Sequence, residues 1–196
     1  MTDWDQLSPQ EVERLARNIG PGEWAVDRQR PISTLLGSCV AVCMFDPVSR
    51  VGGMNHFMLP NIRRNDHHAD DDMLLSGDYA MEALLNGLLN QGAVRHRVQA
   101  KAFGGGTIIH GMTSAGIGER NAAFAREWLT REGISLQAED FLGPWSRKLL
   151  FIPATGTAWC KRMPTTMTTV EQIAREEADY AASLQRKPPK GNIELF

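Results

Sequence analysis

Two apolar runs on either side of a short turn constrain the fold of this chain more than any other feature. The runs cover residues 32–45 and 51–59, and they flank the polar segment Asp46–Arg50. Asp followed by Pro suits the first two positions of a type I turn. The Val, Met, Phe and Cys residues in both runs favour strands. The pattern predicts an antiparallel hairpin, and the fold must therefore contain a sheet built around it.

The register of this hairpin decides which side chains meet. A four-residue loop, Asp46–Ser49, would place Cys39 directly opposite His56. Directly opposed residues have Cβ atoms about 4.5–5.5 Å apart. At that distance an imidazole can take the proton of a thiol, and the thiolate can attack an electrophilic carbon. A five-residue loop would instead place His56 beside Val40, on the other face of the sheet.

The residues before Cys39 favour a catalytic role for this thiol. Gly37 lets the backbone turn sharply, so that a nucleophile can stand at the end of a strand. The amide N–H groups of Ser38 and Cys39 are then candidates for an oxyanion hole. The alternative is a structural role, because cysteine is among the most buried residue types. Cys43, in the middle of the strand, and Cys160 are interpreted as structural.

Length, charge and cysteine content exclude several classes of protein. A chain of 196 residues fits one domain and can bury about 70% of its unfolded surface. The net charge of −2 argues against a nucleic-acid partner or a polybasic membrane contact. Three cysteines give no even disulfide framework, which fits a reducing cytosol. We expect no signal peptide and no membrane insertion, because no apolar run approaches the required length.

Helices and strands beyond the hairpin follow from caps and periodicity. Two capping boxes, Ser8–Glu11 and Thr168–Glu171, each predict the start of a helix. Asn121 is predicted to cap a third helix over residues 122–132. The predicted helices cover residues 9–18, 77–90, 122–132 and 168–186, and the predicted strands cover residues 23–26, 98–103, 134–138, 149–152 and 157–161, the last two forming a hairpin.

Two other stretches carry candidate chemistry. Three glycines, Gly104 to Gly106, permit close backbone approach, either beside a reacting carbonyl or in tight packing. The loop over residues 61–76 contains His and Asp within the short run Asp66–Asp72, which could ligate a metal. Short polar runs between periodic segments are usually solvated loops, so we expect no functional metal there.

Five ordered stretches resemble one known family, the bacterial chemoreceptor glutamine deamidases, or CheD family. The resemblance implies that Cys39 is the nucleophile and His56 the base. The third catalytic position of the family, a Thr six residues before the Cys, falls on Ser33, and the neighbouring Thr34 is the alternative. The segment Asp140–Arg147 departs from the glycine-rich pattern of the family. The matching stretches are Thr34–Cys43, Gly52–Pro60, Gly77–Leu85, Lys101–Gly106 and Ile117–Asn121.

The resemblance also implies a fold and a domain division. The expected fold class is α+β, a layered sandwich of mixed or antiparallel sheets with outer helices, of the α/β/β/α kind. We expect an N-terminal helical extension over residues 1–22, a cysteine deamidase domain over 23–163, and a C-terminal helix and tail over 164–196.

The function implied is that of a protein-glutamine glutaminase. Such an enzyme converts specific glutamine side chains of methyl-accepting chemoreceptors to glutamate, through a thioester on its cysteine and without a cofactor. A cytoplasmic location and a CheC-type phosphatase partner are also implied. Two alternatives stay open: a mainly non-catalytic partner of that phosphatase, and a cysteine amidohydrolase or transglutaminase that acts on another protein.

Overall fold

The computed structural model describes residues 4–59, 69–108, 116–164 and 167–186. Its regular elements alternate between two sheets and the helices that cover them. In chain order they are α1 (Pro9–Leu15), β1 (Arg17–Asn18), β2 (Trp24–Asp27), β3 (Ile32–Leu36), β4 (Val40–Asp46), β5 (Val51–Asn55), α2 (Ala69–Asn90), β6 (Gln99–Gly104), α3 (Ile117–Arg131), β7 (Ser135–Phe141), β8 (Ser146–Ile152), β9 (Thr157–Met163) and α4 (Met167–Arg186), with short 3₁₀ turns at Trp4–Gln6 and Arg95–Arg97.

The strands form two mixed sheets. One has four strands in the order β1-β3-β8-β9, and the other has five strands in the order β2-β5-β4-β6-β7. Within them β1 runs parallel to β3 and β6 runs parallel to β7, whereas the remaining pairs are antiparallel. The predicted α+β class with mixed sheets is confirmed.

Strand β4 lies at the centre of the layers and is buried on both faces. Its odd-numbered residues, including Ala41 and Cys43, pack with Leu149 and Phe151 of the four-stranded sheet. Its even-numbered residues pack against α2 and α3 on the opposite face. On the far side of the four-stranded sheet, Val12 of α1 packs against β8. The order of layers is helices, sheet, sheet, helix, because a strand that is apolar on both faces needs cover on both.

The central hairpin forms with a register that differs from the predicted one by two residues. Asp46 pairs with Val51, so the four-residue loop is 47–50 instead of 46–49. The Asp46 side chain accepts hydrogen bonds from the N–H groups of Val48 and Ser49, which moves the turn one residue onward. A shift of two residues preserves the face of every side chain. Cys39 and His56 therefore still share a face, although they are not directly opposed.

Most other predicted elements are confirmed with shifted ends. The loop 153–156 joins β8 to β9 as predicted. Helix α1 stops at Leu15, because residues 17–18 pair with β3 instead of extending the helix. Asn121 is not an N-cap: α3 begins at Ile117 after Gly116, and Asn121 is buried inside the helix. The division into segments 1–22, 23–163 and 164–196 stays a prediction.

Candidate active site

The turn between β3 and β4 holds the predicted nucleophile. It consists of residues 37–39, and the Cys39 side chain is buried. Two of the predicted close-packing glycines clamp this turn: Gly105 N–H donates to the Cys39 carbonyl at 2.8 Å, and Gly106 N–H donates to the Gly37 carbonyl at 2.8 Å. A Cβ at Gly104 would lie 2.2 Å from the Cys39 carbonyl oxygen. The glycines therefore serve tight packing of backbone against the turn.

His56 is held by a hydroxyl from the other sheet. Thr34 Oγ1 lies 2.8 Å from His56 Nδ1 and also donates to the Ile19 carbonyl at 2.7 Å. A hydroxyl has one proton, so Thr34 accepts the second hydrogen bond and Nδ1 carries the proton. The Nε2 atom of His56 is then unprotonated, and among the described residues it has no hydrogen-bond partner. This is the tautomer that a general base needs.

The predicted contact between Ser33 and His56 is wrong. The Ser33 hydroxyl donates to Asn18 Oδ1 at 3.3 Å, away from His56. Successive side chains of a strand point to opposite faces, and in β3 it is Thr34 that faces the space between the sheets. Thr34, which the sequence left as the alternative, makes the contact.

Two backbone amides converge on one oxygen atom beside the thiol. Ser38 N–H and Cys39 N–H donate to Glu177 Oε1 at 2.8 and 3.1 Å, and Ser38 Oγ donates to Glu177 Oε2 at 2.5 Å. Two donors aimed at one oxygen is the arrangement of an oxyanion hole. The amides of Ser38 and Cys39 are the two expected from the sequence. The sequence did not predict the contact with the Glu177 carboxylate, because Glu177 follows Cys39 by 138 residues.

Asn121 connects the two halves of the site. Its Nδ2 donates to the Ser38 carbonyl at 2.8 Å, and its Oδ1 accepts from Leu59 N–H at 2.9 Å. One buried side chain thus joins the nucleophile turn to the segment that follows His56. Sequence reasoning missed this role because it treated Asn121 as a helix cap, and the only signal for more was its place in a stretch resembling the family.

The electrostatics of the site keep the Cys39 thiol and the His56 imidazole neutral. Burial raises the pKa of the Cys39 thiol well above its ordinary value, and the negative charge of Glu177 raises it further. Burial also lowers the pKa of His56 to about 3. With Glu177 in place, the pair is therefore a thiol and a neutral imidazole instead of a thiolate and an imidazolium.

A cavity of about 100 Å³ opens on the imidazole. Its walls include the partly exposed rings of Trp24 and Tyr79, together with Tyr180 and Leu184 from α4. The cavity therefore lies beside His56, and α4 forms part of its wall.

The part of the chain that the structure describes holds neither a metal-ligand cluster nor a helix that could span a membrane. Within the described ranges, no cluster of three or more His, Cys, Asp or Glu side chains could hold a metal ion. The side chains of the candidate run Asp66–Asp72 lie outside the described residues. None of the described helices has both the length and the apolar character needed to cross a bilayer.

Comparison with known proteins identifies the family. A model of the family described as "CheD chemotactic sensory transduction" matches residues 58–162. A protein of Dechloromonas aromatica is 64% identical over 99% of this chain and 100% of its own length, and is named probable chemoreceptor glutamine deamidase CheD 2. The chain belongs to the CheD family. The predicted family resemblance is confirmed.

More distant CheD relatives align over nearly the whole chain as well. A protein of Burkholderia thailandensis with the same name is 46% identical over 95% of both chains. The protein named probable chemoreceptor glutamine deamidase CheD 1 of Shewanella oneidensis is 41% identical over 94% of this chain and 89% of its own. Among solved structures, the hypothetical protein YfiH of Bacillus licheniformis is similar over 60% of this chain and 49% of its own, at 14% identity and a TM-score of 0.38.

Proposed function

We propose that this protein deamidates glutamine side chains of chemoreceptors, with Cys39 as the nucleophile. The convergence of Ser38 N–H and Cys39 N–H on a single oxygen atom next to the thiol carries the proposal, because acyl transfer needs donors aimed at the developing oxyanion. Membership of the CheD family supports the substrate, since the relatives are named for chemoreceptor glutamine deamidation.

In the first half of the reaction, His56 Nε2 takes the thiol proton and the Cys39 sulfur attacks the carboxamide carbon. The two amides hold the oxyanion, and such donors contribute about 10²–10³-fold to the rate. The imidazolium then gives its proton to the departing nitrogen, the C–N bond breaks, and ammonia leaves. The product of this half-reaction is a thioester between the substrate and Cys39.

In the second half, water replaces ammonia. His56 takes a proton from the water molecule, and the oxygen attacks the thioester carbon. The C–S bond breaks, the thiol is restored, and a glutamate side chain is released. Thr34 keeps His56 in the required tautomer throughout, and general acid–base steps of this kind contribute about 10²–10⁴-fold.

Mass spectrometry of receptor cytoplasmic segments after incubation with the protein tests this function. We expect conversion of glutamine to glutamate with the wild-type protein and no conversion with Cys39→Ala. Cys43→Ala and Cys160→Ala are matched controls, since Cys43 is packed in the core and the Cys160 thiol contacts Asp140. Turnover by purified, folded Cys39→Ala would end the proposal.

The same experiment separates the alternatives. An adaptor for a CheC-type phosphatase would bind its partner while releasing no ammonia, and an amidohydrolase of another pathway would convert proteins other than receptors. We include the phosphatase partnership and a cytoplasmic location in the proposal on the strength of family membership. Co-purification with such a phosphatase, and cell fractionation, test these two parts.

A further inference from the structure

The carboxylate of Glu177 lies where the carboxylate of the reaction product would lie. A deamidated substrate is a glutamate side chain, and its carboxylate would lie with one oxygen on the two amides beside Cys39. Glu177 is a glutamate side chain with one oxygen on those amides and the other on the Ser38 hydroxyl. In chemical type and in placement, it matches the product.

We propose that α4 is an intramolecular product mimic, which fills the substrate position with Glu177 and must be displaced before a substrate glutamine can enter. This inference rests on the proposed deamidase function. It assigns the C-terminal helix a regulatory role and also indicates how the true substrate is presented.

The side chains around Glu177 follow one face of the helix. Ile173 precedes it by one turn and is buried, Tyr180 and Ala181 follow by one turn and pack against the core, and Leu184 lines the cavity next to His56. Positions separated by three, four and seven residues share a face. The site therefore accepts a helix, and a substrate glutamine would lie on a helix with apolar residues at equivalent positions.

The protein surface under α4 is shaped to receive such a helix. A Cβ at Gly37 would lie 2.5 Å from Ile173 Cγ2, and a Cβ at Gly22 would lie 2.3 Å from Tyr180 Cε2. Gly22 also has a φ of +80°, a conformation that residues with a Cβ rarely adopt. Both glycines leave space for side chains of the bound helix.

The packing of α4 against the rest of the protein is nevertheless limited. Ile173 is its only fully buried hydrophobic residue among those described, and α4 is absent from the element pairs that pack most extensively. The partners of the Glu177 carboxylate are amides and a hydroxyl, with no cation among the described residues. A ligand held in this way can be exchanged for a competing helix.

Alkylation of Cys39 by iodoacetamide at fixed pH measures this occupancy without any substrate. We expect the rate for Glu177→Ala to exceed the wild-type rate several-fold, because the variant uncovers the thiol and removes a negative charge that raises its pKa. Asp179→Ala removes an exposed carboxylate from the same helix and should react like the wild type. Ile173→Ser, which keeps the carboxylate but loosens the helix, should also react faster. Equal rates in all four proteins would overturn the proposal.

A second variant turns α4 into a substrate. In full-length Glu177→Gln, the carboxamide lies on the oxyanion donors, and Cys39 should convert it to the acid with water consumed and ammonia released. Intact-protein and peptide mass spectrometry should show this conversion in Glu177→Gln and not in the double variant with Cys39→Ala. An unconverted amide in a variant that does deamidate receptors would overturn the product-mimic assignment.

The two proposals fail in different ways. If receptors and the Glu177→Gln helix both stay unconverted while alkylation is accelerated in Glu177→Ala, the deamidase function is wrong and the docking of α4 stands. If receptors are converted but Glu177→Ala is slower than the wild type, the carboxylate assists the reaction and the product-mimic proposal is wrong. The expected result is faster receptor conversion by Glu177→Ala, with Asp179→Ala unchanged.

Discussion

The two ends of strand β4 each bring a carboxylate onto backbone amides, and they do so with opposite consequences. At one end, Asp46 accepts from the N–H groups of Val48, Ser49 and Val94 and from Nε and Nη2 of the Arg97 guanidinium. At the other end, Glu177 accepts from the amides next to Cys39 with no cation among its described partners.

The difference is visible in what each charge does to its surroundings. Burial alone would raise the pKa of Asp46, but hydrogen bonds from Arg97 and the amides outweigh it and hold the pKa well below its usual range. Glu177 raises the pKa of the neighbouring thiol instead. A buried carboxylate with a matching cation has a structural role, whereas one held by amides and a hydroxyl without a cation marks a place where another anion can bind.

Apart from the loss of the Cys39 thiol itself, the largest effect at the Cys39 end should come from the hydroxyl that holds His56. We expect Thr34→Ala to slow deamidation about 10- to 100-fold, because His56 loses the acceptor that fixes its tautomer. Thr34→Ser should restore most of the rate. Ser33→Ala should stay near the wild-type rate, since its hydroxyl contacts Asn18. Steady-state kinetics on receptor segments measure this, and the reverse ranking of Ser33 and Thr34 would contradict the role of Thr34.

A smaller effect is expected at Asn121, whose side chain joins the nucleophile turn to the segment that follows His56. Asn121→Ala should lower kcat about tenfold with little change in KM, because small displacements of reacting groups are costly while the substrate surface stays intact. Asn121→Asp keeps the acceptor for Leu59 N–H and loses the donor to the Ser38 carbonyl. If Asn121→Asp matches the wild type in kcat, the bond to Ser38 has no positioning role.

At the other end of β4, the expected effect is on stability alone. Asp46→Asn should reduce the free energy of unfolding by about 2–4 kcal/mol, because Arg97 loses its buried partner. Alkylation of Cys39 at a temperature where the variant is folded should be unchanged. Urea unfolding followed by circular dichroism, together with the alkylation assay, separates the two quantities. A changed alkylation rate would show that the two ends are coupled.

The lowered pKa of Asp46 also predicts how the stability of the protein changes at acid pH. Because the folded state holds the Asp46 pKa below its unfolded value of about 3.8, its contribution is complete above that pH and is lost as the pH falls toward the folded pKa. Asp46→Asn should therefore lose less stability than the wild type between about pH 4 and pH 2. Parallel losses in the two proteins would mean that other groups account for acid unfolding.

The smallest effect on the free energy of unfolding is expected at an exposed ion pair, which serves as a control for the buried pair at Asp46. Arg126 and Glu139 form a two-bond contact, with about 40% of each side chain exposed. Glu139→Gln should change the free energy of unfolding by less than about 1 kcal/mol, since water and salt screen such pairs. An effect as large as that of Asp46→Asn would show that burial is not what distinguishes the Asp46 end.

The sequence predicted that Cys39 and His56 share a face but not the exact geometry around them, and each miss has a physical reason. Alternation of side chains along a strand predicted that Cys39 and His56 share a face. This prediction holds despite the register error, because a shift of two residues leaves every side chain on its face. The error arose because the Asp46 side chain forms its own turn, which pairing patterns do not show. The choice between Ser33 and Thr34 depended on which face of β3 meets the second sheet, a property of tertiary packing.

Glu177 lay beyond sequence reasoning altogether. Its helix was predicted correctly, and its place on the apolar face with Ile173 and Tyr180 is visible in the spacing. Nothing in the spacing, however, shows that this face would cover the turn at Cys39, because the contact joins residues 138 positions apart. Local patterns predict elements, whereas the meeting of two distant elements depends on the whole core.

The attachment of α4 to the same chain as Cys39 has a consequence for how the protein responds to its surroundings. A ligand in trans is lost on dilution, whereas a tethered ligand keeps an effective concentration that depends on linker length and not on the amount of protein. The fraction of molecules with an open site is therefore the same at every expression level. What opens more of them is a high local density of substrate helices, so the open fraction follows the crowding of receptors instead of the abundance of enzyme.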